Sequence, residues 1–300
     1  MSPSIHVGPG EQPELAHAVE TAGGTVVSLA QADGVVWAGT KPDSLPELPR
    51  SVRWVQLPSA GVEPWMSRIA ATPNVTFTSA AGAYAPQVAE HALALLLAGL
   101  RGIAASARER AWRIPPHRTL SGATVAIVGA GGIGRALIEQ LAPFNVEVIA
   151  VTRRGHDVPG AARTLAADAI GDVWAQADHF VIAAPATGAT RHLVGAHELA
   201  AMREHSWIVN IARGSLIDTD ALVDALRERR IGGAALDVTD PEPLPDGHPL
   251  WTLPNALITP HIANPEAALT RQLARRVREN VERLASGEAL IAQVDAERGY

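Results

Sequence analysis

Three glycines, Gly129, Gly131 and Gly134, carry the G-x-G-x-x-G spacing, with Gly132 and Ile133 between them. They follow the apolar run Val125–Val128 and precede a helical pattern, Arg135–Leu141. The context reads as strand, tight turn and helix start, the setting in which this spacing binds a dinucleotide. The first glycine lets the chain turn out of the strand, and the second leaves backbone open to a pyrophosphate. The third lets the helix pack closely on its strand. The helix start adds free N–H groups and a positive dipole end.

A second group of chemically capable residues follows. Beyond the next apolar run, Val146–Val151, stand Thr152, Arg153 and Arg154. An acid at that place would bond ribose hydroxyls, whereas paired guanidiniums suit a 2′-phosphate. The residues favour NADP(H), with NAD(H) as the alternative; two arginines also simply cap an exposed strand end. Arg213, Asp237, Glu242 and His261 each fall at or just past the end of an apolar run that reads as a strand. In an open parallel sheet, ligands bind beyond those carboxyl ends. Taken singly, each has a plainer reading: a surface ion pair for the arginine, a packed or capping role for the histidine.

The elements that must position these groups alternate. Before residue 100, Ile5–Val7, Thr25–Leu29, Gly34–Trp37 and Val52–Gln56 read as strands, and Glu11–Ala22 and Glu63–Ala71 as helices. This βαβ rhythm predicts a parallel sheet. Ser59-Ala60-Gly61-Val62 and Ser79-Ala80-Ala81-Gly82 are small-residue loops after strands, open to reading as anion-presenting loops or as simple turns. Tyr84–Arg110 reads as one long helix linking two α/β units. Its adjacent Glu90 and His91 do not share a face and read as a polar edge on a packing helix. Further strands are expected at Phe180–Ala184, Trp207–Ala212, Gly233–Val238 and Ala256–Thr259, with helices at Asp218–Arg229 and Pro265–Ser286.

Composition narrows the function classes. The chain has 300 residues, 47% hydrophobic and 19% charged, with net charge −6. General attraction to nucleic acid or an anionic membrane is not expected. There are no cysteines, which excludes disulfides, thiolate catalysis and thiolate metal sites; no metal site is expected from the remaining residues. The N-terminus lacks the blocks of a signal peptide, and the longest apolar run, Ala92–Leu100, is too short to span a bilayer. A cytoplasmic protein is expected.

The residues carry a resemblance to the D-isomer-specific 2-hydroxyacid dehydrogenase family. It rests on Val128–Gly134, Val209-Asn210-Ile211-Ala212-Arg213-Gly214, Ala235–Val238 with Pro241-Glu242-Pro243-Leu244, and Thr259-Pro260-His261-Ile262-Ala263. Ser59–Val62 and Val88–His91 match more weakly, and the ending Val294-Asp295 with Arg298-Gly299-Tyr300 is similar to that of the short glyoxylate/hydroxypyruvate reductases. The resemblance implies hydride transfer between a nicotinamide and C2 of a small 2-oxo or 2-hydroxy acid. It implies Arg213 as the group that binds the substrate carboxylate and polarises the carbonyl, and His261 as proton donor. Glu242 would orient the imidazole and favour its protonated form. Ser59, Ala60 and Gly61 would offer backbone amides to the substrate. Pro185, Thr190, Ile211 and Ala212 would border the cofactor, and Asp237 would lie near the nicotinamide or act as a structural cap.

The resemblance further implies two doubly wound α/β domains with a cleft between them. A flavodoxin-like substrate domain would comprise residues 1–97 and 264–300, and a Rossmann cofactor domain residues 98–263. A homodimer is implied as well. Trp37, Trp54, Trp65 and Trp251 are candidates to shape the substrate site, with core packing the plainer role for any one of them. A phosphoglycerate dehydrogenase, weakened by the absence of an appended regulatory domain, and an NAD(P)-sensing binding module are the competing readings.

Overall fold

The computed structural model describes residues 2–296. The ending Arg298-Gly299-Tyr300 lies outside the described residues. The chain runs β1 (Ser4–Gly8), α1 (Pro13–Thr21), β2 (Thr25–Val26), β3 (Gly34–Trp37), β4 (Trp54–Gln56), α2 (Met66–Ala71) and β5 (Thr76–Thr78). There follow α3 (Ala85–Leu100), α4 (Ile103–Arg108), β6 (Thr124–Val128), α5 (Gly132–Leu141), β7 (Glu147–Thr152), β8 (Arg163–Ala166) and α6 (Val173–Gln176). The last elements are β9 (His179–Ile182), α7 (Ala196–Ala201), β10 (Trp207–Asn210), α8 (Thr219–Arg227), β11 (Gly233–Leu236), β12 (Ala256–Ile258) and α9 (Glu266–Ser286). They form two compact units, Met1–Tyr84 with Pro265–Tyr300, and Ala85–Asn264. No helix among the described residues is long and apolar enough to cross a membrane.

The first unit is a parallel five-stranded sheet of order β2-β1-β3-β4-β5, the flavodoxin-like arrangement. Its short strands bring Val35, Trp37, Val55 and Phe77 into a core that Trp65, from the helical turn Glu63–Trp65, completes. Trp54 is also buried, its indole Nε1 donating to Thr78 Oγ1 at 2.9 Å. Of the four tryptophans named above, Trp37, Trp54 and Trp65 are therefore core residues, and Trp251 is exposed. The helix α9 returns to this unit, packing on α1. Its buried Asn280 donates to Gln56 Oε1 at 2.9 Å, an acceptor shared with the Thr78 hydroxyl. Buried polar groups on helix and sheet thus satisfy one another.

The second unit is a parallel seven-stranded sheet of order β12-β11-β10-β9-β6-β7-β8. Strand order reverses at β6, which pairs with both β7 and β9 and so forms the switch point of a doubly wound sheet. The first domain boundary, expected after residue 97, falls instead before Ala85. The reason is packing: α3 lies against α5 and β10, where the space above Gly99 is filled by the Trp207 ring. The expected single helix Tyr84–Arg110 is broken. Gly102 adopts φ +60°, closing α3 and starting α4. Strand β8 is not anticipated by the sequence, since Arg163–Ala166 contains no apolar run.

Candidate functional site

The carboxyl ends of the second unit's strands carry the site. At β6 the glycine turn has the geometry that a dinucleotide needs. Gly129 has φ +101°, and a Cβ there would stand 2.4 Å from the Ala184 amide nitrogen, so the turn packs directly on the chain leaving β9. Gly131, which precedes α5, has no atom within 4 Å of its Cβ position. That open space over the first amides of a ten-residue helix is the cradle a pyrophosphate would fill. The residues present fit the cofactor.

Thr152 ends β7, two strand-widths from β9, and its Oγ1 accepts from the Gly155 amide at 3.0 Å, folding the exposed Arg153 and Arg154 into a turn. Pro185 and Thr190 are brought together after β9, where Thr190 Oγ1 donates to the Pro185 carbonyl at 2.7 Å. Ile211 and Ala212 follow β10, Ile211 buried and Ala212 half-buried.

Arg213 is placed by its backbone. The buried Asn210 side chain donates to the Arg213 carbonyl at 2.8 Å and accepts from the Ala212 amide at 3.1 Å. Gly214 then packs against the loop after β11, where a Cβ would lie 1.9 Å from the Thr239 carbonyl carbon. The loop carrying Glu242 is tied down in turn, as Thr219 Oγ1 donates to the Asp240 carbonyl at 2.7 Å.

His261 follows β12 with φ +54°, in the left-handed region that a non-glycine residue occupies only when its surroundings hold it there. Asp237 is what holds it. Its backbone carbonyl accepts the His261 amide at 2.8 Å, Oδ1 accepts the Ile262 amide at 2.9 Å, and Oδ2 accepts the Ala263 amide at 3.0 Å. Oδ1 also accepts from Thr259 Oγ1 at 2.6 Å. Burial alone would raise the Asp237 carboxyl, but these donors together with His91 outweigh it and hold it below the ordinary carboxylate range. With both oxygens committed to protein donors, Asp237 acts as the cap of the His261 turn. The imidazole so presented meets Glu242, with His261 Nδ1 2.6 Å from Glu242 Oε1, both side chains partly exposed.

The structure therefore brings Glu242, His261 and Asp237 into one connected group, with Arg213 on the neighbouring strand end. His91, which the sequence reads as a polar edge, takes part as well, as do Thr259 and Asn210, which stand in the matching motifs with no role assigned to them. In the first unit, the Ser59 carbonyl accepts the Ala80 amide at 2.8 Å, and Ser59 Oγ donates to the Gly61 carbonyl at 2.7 Å. Arg276 of α9 donates to the Ala81 carbonyl at 2.8 Å, so the two small-residue loops are built as a pair. A groove of about 760 Å³ lies at the opposite, amino-terminal edge of the second sheet, lined by residues including Gly99, Pro115, Arg118 and Trp207. It contains none of the site residues above.

Comparison with known proteins agrees with this geometry. Residues 92–263 match the family described as D-isomer specific 2-hydroxyacid dehydrogenase, NAD binding domain. The chain is similar to an uncharacterized protein in the proB 3′ region of Corynebacterium melassecola, 43% identical over 284 residues, 92% of each chain. It is similar to a glyoxylate reductase of Thermofilum pendens, 32% identical over 234 residues, 75% of this chain and 69% of the relative. Among solved structures, it superposes on an NADPH-dependent glyoxylate/hydroxypyruvate reductase of Sinorhizobium meliloti, in complex with NADP and sulfate. The TM-score is 0.82 at 26% identity, covering 100% of both chains. The dinucleotide turn, the parallel sheets and these likenesses together make the protein a nicotinamide-dependent oxidoreductase, and the chain belongs to the D-isomer-specific 2-hydroxyacid dehydrogenase family.

Proposed function

We propose that the protein is an NADP(H)-preferring reductase of small 2-oxo acids, with glyoxylate and hydroxypyruvate as its best substrates. The observation that carries the reading is the 2.6 Å pairing of His261 Nδ1 with Glu242 Oε1, at the same sheet edge as the glycine turn. With Nδ1–H committed to Glu242, the imidazole presents Nε2 as the group that gives a proton.

Gly129, Gly131, Gly132, Ile133 and Gly134 would hold the pyrophosphate, and Thr152, Arg153 and Arg154 the 2′-phosphate. NADPH held there would supply the hydride for C2 of the substrate. Arg213 grips the substrate carboxylate with its planar fork and draws charge toward the carbonyl oxygen. His261 gives the Nε2 proton to that oxygen as its π pair becomes a lone pair, leaving a 2-hydroxy acid and a neutral imidazole that solvent reprotonates. Glu242 holds the ring so that Nε2 faces the substrate. Ser59, Ala60 and Gly61 contribute backbone amides to the substrate carboxylate. The relatives named above support the substrate class, and the NADP-bound reductase supports the cofactor.

A homodimer is part of the reading. Trp112 and Ile114, 101% and 79% exposed, offer apolar surface on the segment after α4, near the amino-terminal groove. A cytoplasmic location also belongs to it.

The test is a spectrophotometric panel of glyoxylate, hydroxypyruvate, 3-phosphohydroxypyruvate, pyruvate and longer 2-oxo acids, each with NADPH and NADH. Highest kcat/KM on the two smallest hydroxy- or aldehyde-type acids with NADPH supports the reading. Preference for the phosphorylated acid would move the protein to phosphoglycerate chemistry, and faster turnover with NADH throughout would overturn the cofactor assignment. No turnover with any acid would favour a nucleotide-sensing module.

A further inference from the structure

We propose that His91, on α3, is a positioning residue for His261, acting through Thr259 and Asp237. The inference rests on the reading of His261 as proton donor. His91 stands 168 residues before Thr259, yet its Nε2 lies 3.1 Å from Thr259 Oγ1 and 3.2 Å from Asp237 Oδ1. Its side chain is 20% exposed and that of Asp237 1% exposed. The face that α3 buries beside it is apolar, formed by Val88, Ala92, Leu95 and Leu96. An imidazole at such a place needs a partner, and this one has two.

Counting protons fixes its form. Thr259 has one hydroxyl hydrogen, which goes to Asp237 Oδ1 at 2.6 Å. Asp237 is ionised and only accepts. Thr259 Oγ1 can therefore only accept from His91, and Nε2 must carry the hydrogen that both oxygens share. His91 is a fixed donor at Nε2 whether the ring is neutral or charged.

The consequence runs along one short path. Asp237 holds the amides of Ile262 and Ala263 through its carboxylate and that of His261 through its carbonyl. The carboxylate's orientation is set from the other side by His91 and Thr259. Without the Nε2 donor, a buried charge loses one of its bonds and is free to turn toward its remaining partners. The left-handed turn at His261 then loses its fixed seat, and the cost is in aim: small misplacements of a reacting group are expensive for kcat and cheap for binding.

His91→Leu removes the donor and His91→Gln restores an N–H at the same reach. The full-length protein is assayed with glyoxylate and NADPH, and cofactor affinity is measured by fluorescence titration. His91→Leu is expected to lower kcat by about 10-fold or more, with NADPH affinity and substrate KM within about twofold, and His91→Gln to recover most of the loss. If His91→Leu does not fold, His91→Asn replaces it, because asparagine places its amide short of Thr259; the same contrast with His91→Gln is expected. A His91→Leu or His91→Asn protein with wild-type kcat overturns the proposal, as does a His91→Gln protein as impaired as either. A second readout needs no turnover. Long-range proton–nitrogen NMR should show His91 protonated at Nε2 in the wild type, and the ring signals of His261 displaced in the variant. Unchanged His261 signals overturn the inference even if no substrate is found, whereas displaced signals without turnover count against the assigned reaction alone.

Discussion

Asp237 and His261 are joined by a backbone bond of 2.8 Å, and the Asp237 side chain then takes the next two amides in order. One residue thus satisfies a run of successive N–H groups and fixes the path of the chain at His261. Bonds to a buried, ionised carboxylate contribute about 1.5–3 kcal/mol each.

Asp237→Asn should therefore destabilise the second unit by about 2 kcal/mol, since an amide nitrogen cannot accept from Ala263. Because the folded carboxyl lies below its ordinary range, the wild-type contribution is present above that range and is lost as pH falls from it through the lowered folded value. Urea unfolding should show a gap between wild type and variant that is widest near neutrality and narrows in acid. A gap independent of pH would count against the carboxylate as its source.

Glu242 orients the ring of His261 and also brings a charge to it. Glu242→Gln keeps an acceptor within reach of Nδ1, and Glu242→Ala removes it. In steady-state kinetics with glyoxylate, Glu242→Ala should lower kcat by about 10²-fold and Glu242→Gln by less, since general acid catalysis is worth about that much and more. Equal kcat in Glu242→Ala and wild type would take Glu242 out of the mechanism.

Arg153 and Arg154 are exposed on the turn after β7 that the Gly155 amide closes onto Thr152 Oγ1. Replacing both with alanine should raise KM for NADPH by about 10-fold or more, the scale of a lost charge-assisted bond to phosphate, and leave KM for NADH nearly unchanged. An equal rise for both cofactors would show that the pair does not read the 2′-phosphate.

His179 opens β9 at the other end of the sheet. Burial first, with nearby His205, Arg118 and Arg203, lowers its imidazole to about 4, against the pull of Asp178. The unfolded chain protonates this ring near 6.5, so stability is full above that value and falls as pH drops from 6.5 to about 4. The full loss amounts to ~3 kcal/mol. His179→Asn keeps an acceptor near the site of Nδ1, which takes the Trp207 amide at 3.2 Å, and does not titrate. Its melting temperature should fall less steeply across that window. An identical slope would place the acid sensitivity elsewhere.

Much of this architecture was legible in residue order, for physical reasons. Buried parallel strands need uninterrupted apolar runs, so Val125–Val128 and Trp207–Asn210 declare themselves, and a glycine turn between strand and helix has few other uses. Asp218, whose carboxylate accepts the Asp220 and Ala221 amides at 3.1 Å each, marks the start of α8 in the usual way. What stayed hidden depends on distance along the chain. Gly102 breaks a helix whose periodicity continues past it, because Pro115 and Pro116 close over that glycine. Strand β8 exists because β7 offers it an edge to pair with. His91 looks like a polar edge until Thr259 and Asp237 are folded against it. Trp37, Trp54 and Trp65 look available for a substrate until the first sheet encloses them.

The close approach of Gly214 to Thr239 has a consequence for how such an enzyme can diversify. The turn bearing Arg213 and the loop leading to Glu242 interlock like two teeth, so neither can be lengthened or swapped without disturbing the other. The turn at Thr152–Gly155 packs instead on the end of β8, where a Cβ at Gly155 would lie 3.1 Å from the Ala166 amide nitrogen. On the proposed reading, substitutions at Thr152–Gly155 could alter cofactor choice without touching the interlocked turns that bear Arg213 and Glu242.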